Sequence, residues 1–213
     1  MRGGTGLACV LASLVAAGCS RLVLVRQSYS IDPPPKQSLP ALDGVVLAMS
    51  RVEVEPPFAG LSLVYRTGEH DLVHDPYASF AEPPGWLIGA AIRGYLANAD
   101  FVRDVVTPGH GLRPDATVEV AVGTLAGELR PGGASAVLAM RFRVLASPGG
   151  AREPSEVLVK AYCSSRPIAR ATAKRVVAAW NEGLADIMTE FAADLSASLA
   201  VLRGMPPPPG AAR

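Results

Sequence analysis

The sequence predicts an α+β fold: a mainly antiparallel sheet with two helices packed on one face, the second a long C-terminal helix. Three observations predict it. Three segments between residues 116 and 165 alternate apolar and polar side chains with a period of two, separated by Pro-Gly-Gly turns. The stretch Ala171 to Leu202 carries apolar residues at helical spacing. A shorter helical pattern lies between two groups of strand patterns. Strands that are apolar on one side and two one-sided helices bury most when both helices cover the same sheet face.

The N-terminal residues are set apart from that domain. Arg2 is the only charge before Cys19, and Leu7 to Ala17 is apolar. That run is too short to cross a bilayer core of about 30 Å, which takes about 20 helical residues. It has the length and charge order of a secretory signal peptide. Ala16-Ala17-Gly18-Cys19 resembles the bacterial lipobox, in which the cysteine is acylated and becomes the new N-terminus. Ala16 and the flanking Leu14-Val15 stand where the usual pattern has leucine three before the cysteine. Ser20 follows the cysteine, not an aspartate, which is similar to lipoproteins sent to the outer membrane. Each buried acyl methylene contributes about 0.8 kcal/mol, so a multiply acylated cysteine is an effectively permanent anchor. The expected division is a signal peptide over 1–18, a Pro-rich tether over 19–41, one domain over 42–203 and a disordered Pro-rich tail over 204–213.

The elements of the domain follow in order. "GVVLAMSRVEVE" from Gly44 ends in alternation, Val52 and Val54 against Glu53 and Glu55, and Pro56-Pro57 stops the strand. "LSLVYRT" from Leu61 is a second strand. "EHDLVHDPYASF" from Glu69 has no period and reads as loop or irregular edge. Pro83-Pro84 suits a helical first turn. After it, Ile88, Ile92, Tyr95 and Leu96 recur at helical spacing, while Gly85, Gly89 and Gly94 each lower helix propensity by about 1 kcal/mol and point to close packing on a sheet. "FVRDVV" from Phe101 is a short strand. The three meander strands place Val118, Val120 and Val122 on one face, then Ala136 to Val144 on one face with Arg141 and Arg143 opposite. In the third strand Val157, Val159, Ala161 and Cys163 are expected on the apolar face. In the last helix the stripe runs Val177, Trp180, Leu184, Ile187, Met188, Phe191, Leu195, Leu199 and Leu202, with Gly204 and its prolines ending it. Trp86 and Trp180 are both expected in the helix–sheet core.

Several kinds of chemistry are disfavoured. Basic and acidic residues number 20 and 19, so there is no basic surplus to displace counterions from nucleic acid. The three cysteines form no CxxC and no zinc spacing, and with Cys9 and Cys19 removed from consideration Cys163 has no partner. His70 and His74 lie four apart beside Glu69, Asp71 and Asp75, a spacing that presents two metal ligands on a helix. Pro76 and the preceding strand pattern favour a solvated polar loop there, so no metal site is assigned. His110 in "TPGHG" reads as a turn residue. No nucleophile elbow and no phosphate-binding loop occurs, so no catalytic residue and no cofactor is assigned. Tyr65, Arg66, Arg141 and Arg143 are the candidate partner contacts: the first two close a strand, the others share a wet face.

Several segments together carry a family resemblance. "YSIDPPP" at Tyr29, "GLSLVYRTGEHDLVHDPYASFAEPP", "FVRDVV" and "AKRVVAAWNEGLADIMTEFAADL" are similar, in order and spacing, to the ABC-type transport auxiliary lipoprotein family, PqiC-like partners of MCE (mammalian cell entry) lipid-transport systems. Phe80 stands where that family commonly has tryptophan. The resemblance implies an α+β domain and a role in lipid movement or envelope maintenance. It implies an MCE-domain protein, an ABC permease and an ATPase as partners, the membrane reached through lipidated Cys19, and no enzyme activity. Self-association is a further expected contact. The alternatives are a periplasmic lipoprotein that binds a ligand, or one that supports assembly of another outer-membrane complex.

Overall fold

The computed structural model describes residues 26–32, 44–109, 111–146 and 153–202. Cys9, Cys19, the triple proline, His110, most of the "SPGGARE" turn and the chain from 203 onward lie outside the described residues. The strands are β1 (Gln27–Tyr29), β2 (Val45–Met49), β3 (Glu53–Val54), β4 (Ser62–Arg66), β5 (Leu72–Phe80), β6 (Val102–Val106), β7 (Ala116–Arg130), β8 (Gly133–Ala146) and β9 (Ser155–Ile168). The helices are α1 (Pro84–Ala97) and α2 (Ala173–Leu202), with one 3-10 turn at Pro56–Phe58 where the paired prolines end β3.

Strand β7 is the spine of a nine-stranded sheet. One of its edges pairs antiparallel with β8 from Ala116↔Ala146 to Arg130↔Gly133, and β8 pairs likewise with β9. The β7–β8 turn is Pro131-Gly132: proline fixes φ at about −65°, and Gly132 sits at φ 103°, the combination a type II turn requires. The other edge of β7 receives β2, β3 and β4 one after another, each parallel to it. Beyond these, β6 adds parallel to β2, β5 antiparallel to β4, and β1 parallel to the end of β5. The long ladders are antiparallel, as expected. The parallel pairs belong to short strands, and α1 supplies the crossover from β5 to β6.

Both helices lie on one face, within reach of each other where Tyr95 Oη and Thr189 Oγ1 are 3.4 Å apart. Val118, Val120 and Val122 of β7 and Leu138, Met140 and Phe142 of β8 are buried beneath them. The described part of the α2 stripe, from Val177 to Leu199, is buried throughout. Phe142 stacks on Phe191 at 4.0 Å between ring centres, and Tyr162 meets both rings edge-on. Trp180 buries its ring against Phe80 and donates its indole N–H to the Val137 carbonyl at 3.1 Å. Burying an aromatic of this size contributes about 3 kcal/mol or more.

Four local expectations differ from the structure. "LVHDPYASF" is strand, not loop: Thr67 N–H donates to Asp71 O, closing a hairpin that pairs Arg66 with Leu72 and Val64 with His74. It shows no alternation because both faces of its first half are exposed. Within the stretch read as tether, Gln27–Tyr29 form β1, Ile31 is buried, and Asp32 N–H donates to Asn181 Oδ1. In β9 the facing is reversed. Tyr162 is inside and Cys163 is exposed, because Tyr162 is in register with Met140 and Cys163 with Ala139. Trp86 is 62 % exposed, whereas Trp180 is buried as expected.

Candidate functional site

The sheet face opposite the helices carries the charged candidates. Arg143 Nε donates to Glu156 at 2.7 Å and its Nη1 to Glu119 at 3.3 Å. These carboxylates, the Glu156 hydrogen bond first, hold the Arg143 guanidinium above its ordinary pKa. Register explains the arrangement, since Arg143 lies directly opposite Glu119 on β7, while Glu156 of β9 is opposite Leu145, two residues along β8. Arg141, one step along the same face, has no ion pair among the described residues. A shallow basin of about 580 Å³ lies over both arginines, with Arg51, Glu53, Glu119 and Glu156 at its rim.

Arg66 and Tyr65 are neighbours in sequence and point to opposite faces. Arg66 Nη1 donates to Glu128 Oε1 at 3.0 Å, across the β4–β7 register pair Arg66↔Glu128. Tyr65 is turned inward over Gly127, where an added Cβ would lie 2.7 Å from its ring, and toward Val176 of α2. Burial, then the charge of Asp75 and a hydrogen bond to it, push its phenol pKa up. Tyr65 therefore supports the β4–β5 hairpin from beneath and is not itself a surface contact. What the hairpin does expose is Leu72, Val73 and Tyr77, the last two 49 % and 53 % accessible. β1 pairs only with residues 78–80, so Leu72–Tyr77 has no second strand neighbour among the described residues.

On the helix-covered face, β9 and α2 are joined by polar contacts. Tyr162 Oη and Lys160 Nζ both donate to Asp194 Oδ2, at 2.6 and 2.7 Å. Arg166 pairs with Glu182 and Asp186. Gly183 lets the helix pass close to Ser164, whose Oγ would lie 2.6 Å from an added Cβ. Among the described residues no group of three or more His, Cys, Asp or Glu side chains is arranged to hold a metal ion, and His74 is an exposed residue of β5. No helix among the described residues is long and apolar enough to cross a membrane.

Sequence reasoning missed one surface. Trp86 stands beside the β2–β3 junction with Arg51 and Arg93, over a groove of about 360 Å³. The available signal was the pair Gly85 and Gly89: glycines that share the packing side of the first turns with Ile88 turn Trp86 elsewhere.

The fold is a helix-covered mixed sheet with a charged open face, an exposed apolar hairpin and a tryptophan groove. The chain belongs to the family of ABC-type transport auxiliary lipoprotein components, whose family model matches residues 29–192. It is similar in fold to the crystal structure of protein XCC0632 from Xanthomonas campestris, a DUF330 protein. The TM-score is 0.64 at 15% identity, covering 78% of this chain and 92% of that one. A second crystal structure, of an uncharacterized protein, aligns with TM-score 0.61 at 17% identity over 81% of this chain and 99% of the other. The hypothetical protein CT253 from Chlamydia trachomatis aligns with TM-score 0.50 at 12% identity over 75% and 99%. No curated protein matches the sequence.

Proposed function

We propose that this protein is a non-catalytic auxiliary subunit of an MCE-type ABC lipid-transport system, anchored through acylated Cys19 to the periplasmic face of the outer membrane. The family match over residues 29–192 carries the reading, since it is a match to auxiliary lipoproteins of ABC-type transport. The "AAGC" sequence ending at Cys19 supports the anchor, and Ser20 supports the outer membrane. Arg141 and Arg143 on the open sheet face and the β4–β5 hairpin with Arg66 at its turn end are the proposed contacts with the MCE-domain protein and the permease–ATPase unit.

Two experiments test it. Affinity purification from cross-linked envelopes is expected to recover an MCE-domain protein together with a permease and an ATPase. Recovery of none of them overturns the reading. Cys19→Ala is expected to move the protein from the membrane to the soluble fraction, and a wild-type protein already soluble would refute the anchor.

A further inference from the structure

The groove at Trp86 is built by a close approach of the start of α1 to the sheet. Residues Gly85 and Gly89 are one helical turn apart on α1 and face the β2–β3 junction. An added Cβ at Gly85 would sit 2.9 Å from the Val52 carbonyl oxygen, and at Gly89 it would sit 3.4 Å from a Val52 methyl. Ile88, Ile92 and Leu96 bury the body of the helix, but its first turns meet the β2–β3 junction through two residues without side chains, and Trp86 beside them faces solvent. A tryptophan 62 % exposed forgoes burial that the adjoining core could have provided.

Within the groove itself the charged lining is of one sign. Arg51 and Arg93 line the groove with the indole, and no acidic residue does. Neither arginine has an ion pair among the described residues. Past the indole the groove continues into a second cleft of about 450 Å³ between Trp86, Val54 and Pro83, where Glu53 ends the basic stretch. The composition, Trp with Arg and without Lys, is that of protein-contact hot spots, and guanidinium forks match carboxylates in two-point geometry. A lipid tail would call for a deeper apolar channel than this surface cleft, floored by Val52 and glycine.

We propose that this groove is the docking site for a short acidic segment of a partner protein. Its carboxylates pair with Arg51 and Arg93, and one of its apolar side chains packs on the Trp86 ring. The identity of that partner as a transport subunit rests on the reading above; the chemistry of the segment does not.

The test uses the full chain in its envelope, with Ala90→p-benzoylphenylalanine placing a photo-cross-linker in the groove. The cross-linked peptide is sequenced, and the purified protein is titrated by tryptophan fluorescence. In that titration buried Trp180 is constant background and Trp86 is the reporter. The probes are an acidic peptide, acetyl-Asp-Glu-Leu-Phe-Asp-Glu-amide, its Asn/Gln counterpart, and phosphatidylglycerol vesicles. The expected result is a cross-link to a segment with at least two carboxylates, lost in Arg51→Glu/Arg93→Glu. The acidic peptide is expected to blue-shift the emission with at least tenfold higher affinity than its neutral counterpart. Equal affinities, a shift with vesicles alone, a cross-link to lipid, or no cross-link overturns the proposal. Co-purification of transport subunits without a cross-link at Ala90 removes this inference and leaves the function standing. A cross-link to an acidic segment of a protein outside any ABC system does the reverse.

Discussion

The Tyr162 phenol donates to the same oxygen, Asp194 Oδ2, that receives the Lys160 ammonium. One carboxylate of α2 thereby fastens two inward residues of β9, and Tyr162 carries its ring into the Phe142–Phe191 stack. Tyr162→Phe keeps the ring and removes the donor. Asp194 retains Lys160 and partial solvent contact, so the loss falls at the lower end for a hydrogen bond to a charged group, about 1–2 kcal/mol. Urea denaturation of the two proteins measures it. An unchanged midpoint would mean that water replaces the phenol without cost.

The same contact gives the fold an alkaline limit. Burial first, then the hydrogen bond to Asp194 and the charges of Asp194 and Glu190, push the Tyr162 phenol pKa up. Tyr65 is pushed up in the same direction by burial and Asp75. In the unfolded chain both phenols ionise near pH 10. Stability from these groups is therefore complete below about pH 10 and declines as the pH rises further, where the unfolded chain releases protons that the folded one still holds. Two of the five phenols are expected to ionise only as circular dichroism is lost. Full tyrosinate absorbance with the fold intact would contradict this.

Two glycines of α1 should respond oppositely to alanine. Gly85→Ala gains about 1 kcal/mol of helix propensity. It also forces a Cβ to 2.9 Å from a backbone oxygen that cannot rotate away. Overpacking of this kind costs about 1–3 kcal/mol, so the net effect is destabilising. Gly94 has nothing within 4 Å of the added Cβ, and Gly94→Ala is expected to stabilise by about 0.5–1 kcal/mol. Thermal melts of both variants decide it, and a same-direction shift would sink the packing argument.

Residues whose environment is uniform along an element were legible in the sequence. Strands β7 and β8 bury one face under two helices, so their alternation reports the fold directly, and the α2 stripe does the same. Strand β9 lies at the edge, where the flank of α2 is acidic. Lys160, Tyr162 and Arg166 face inward to meet Asp194, Glu182 and Asp186, while Val159, Ala161 and Cys163 face out. Polarity there reports the partner helix and inverts the expected parity. The groove at Trp86 was hidden for a related reason: Gly85 and Gly89 carry no hydrophobic signal, yet they extend the packing face of Ile88 and Ile92 to the β2–β3 junction and leave Trp86 outside it.

The reversed parity of β9 makes a direct prediction. With residues 1–18 removed and Cys19→Ser, Cys163 is the remaining thiol. It is exposed on the open sheet face, so a maleimide should label it completely without denaturant. Labelling that waits for unfolding would restore the inward orientation.

The Arg66–Glu128 pair should behave as an intramolecular fastening of β4 to β7 and not as a free charge. Its side chains are 28% and 20% exposed, and Arg130 stands 3.7 Å from the other Glu128 oxygen. A cross-strand pair that is partly shielded and shares its carboxylate lies at the upper end of the range for surface pairs, about 1 kcal/mol. A double-mutant cycle of Arg66→Ala and Glu128→Ala reads the coupling without counting what each side chain does alone. Raising the salt from 0.05 to about 0.5 M should weaken the coupling by screening. Arg130 is expected to keep part of the Glu128 charge compensated, so Arg66→Ala should cost less than Glu128→Ala. A coupling of zero would release Arg66 from its structural duty and return the guanidinium to the set of residues free to meet a partner.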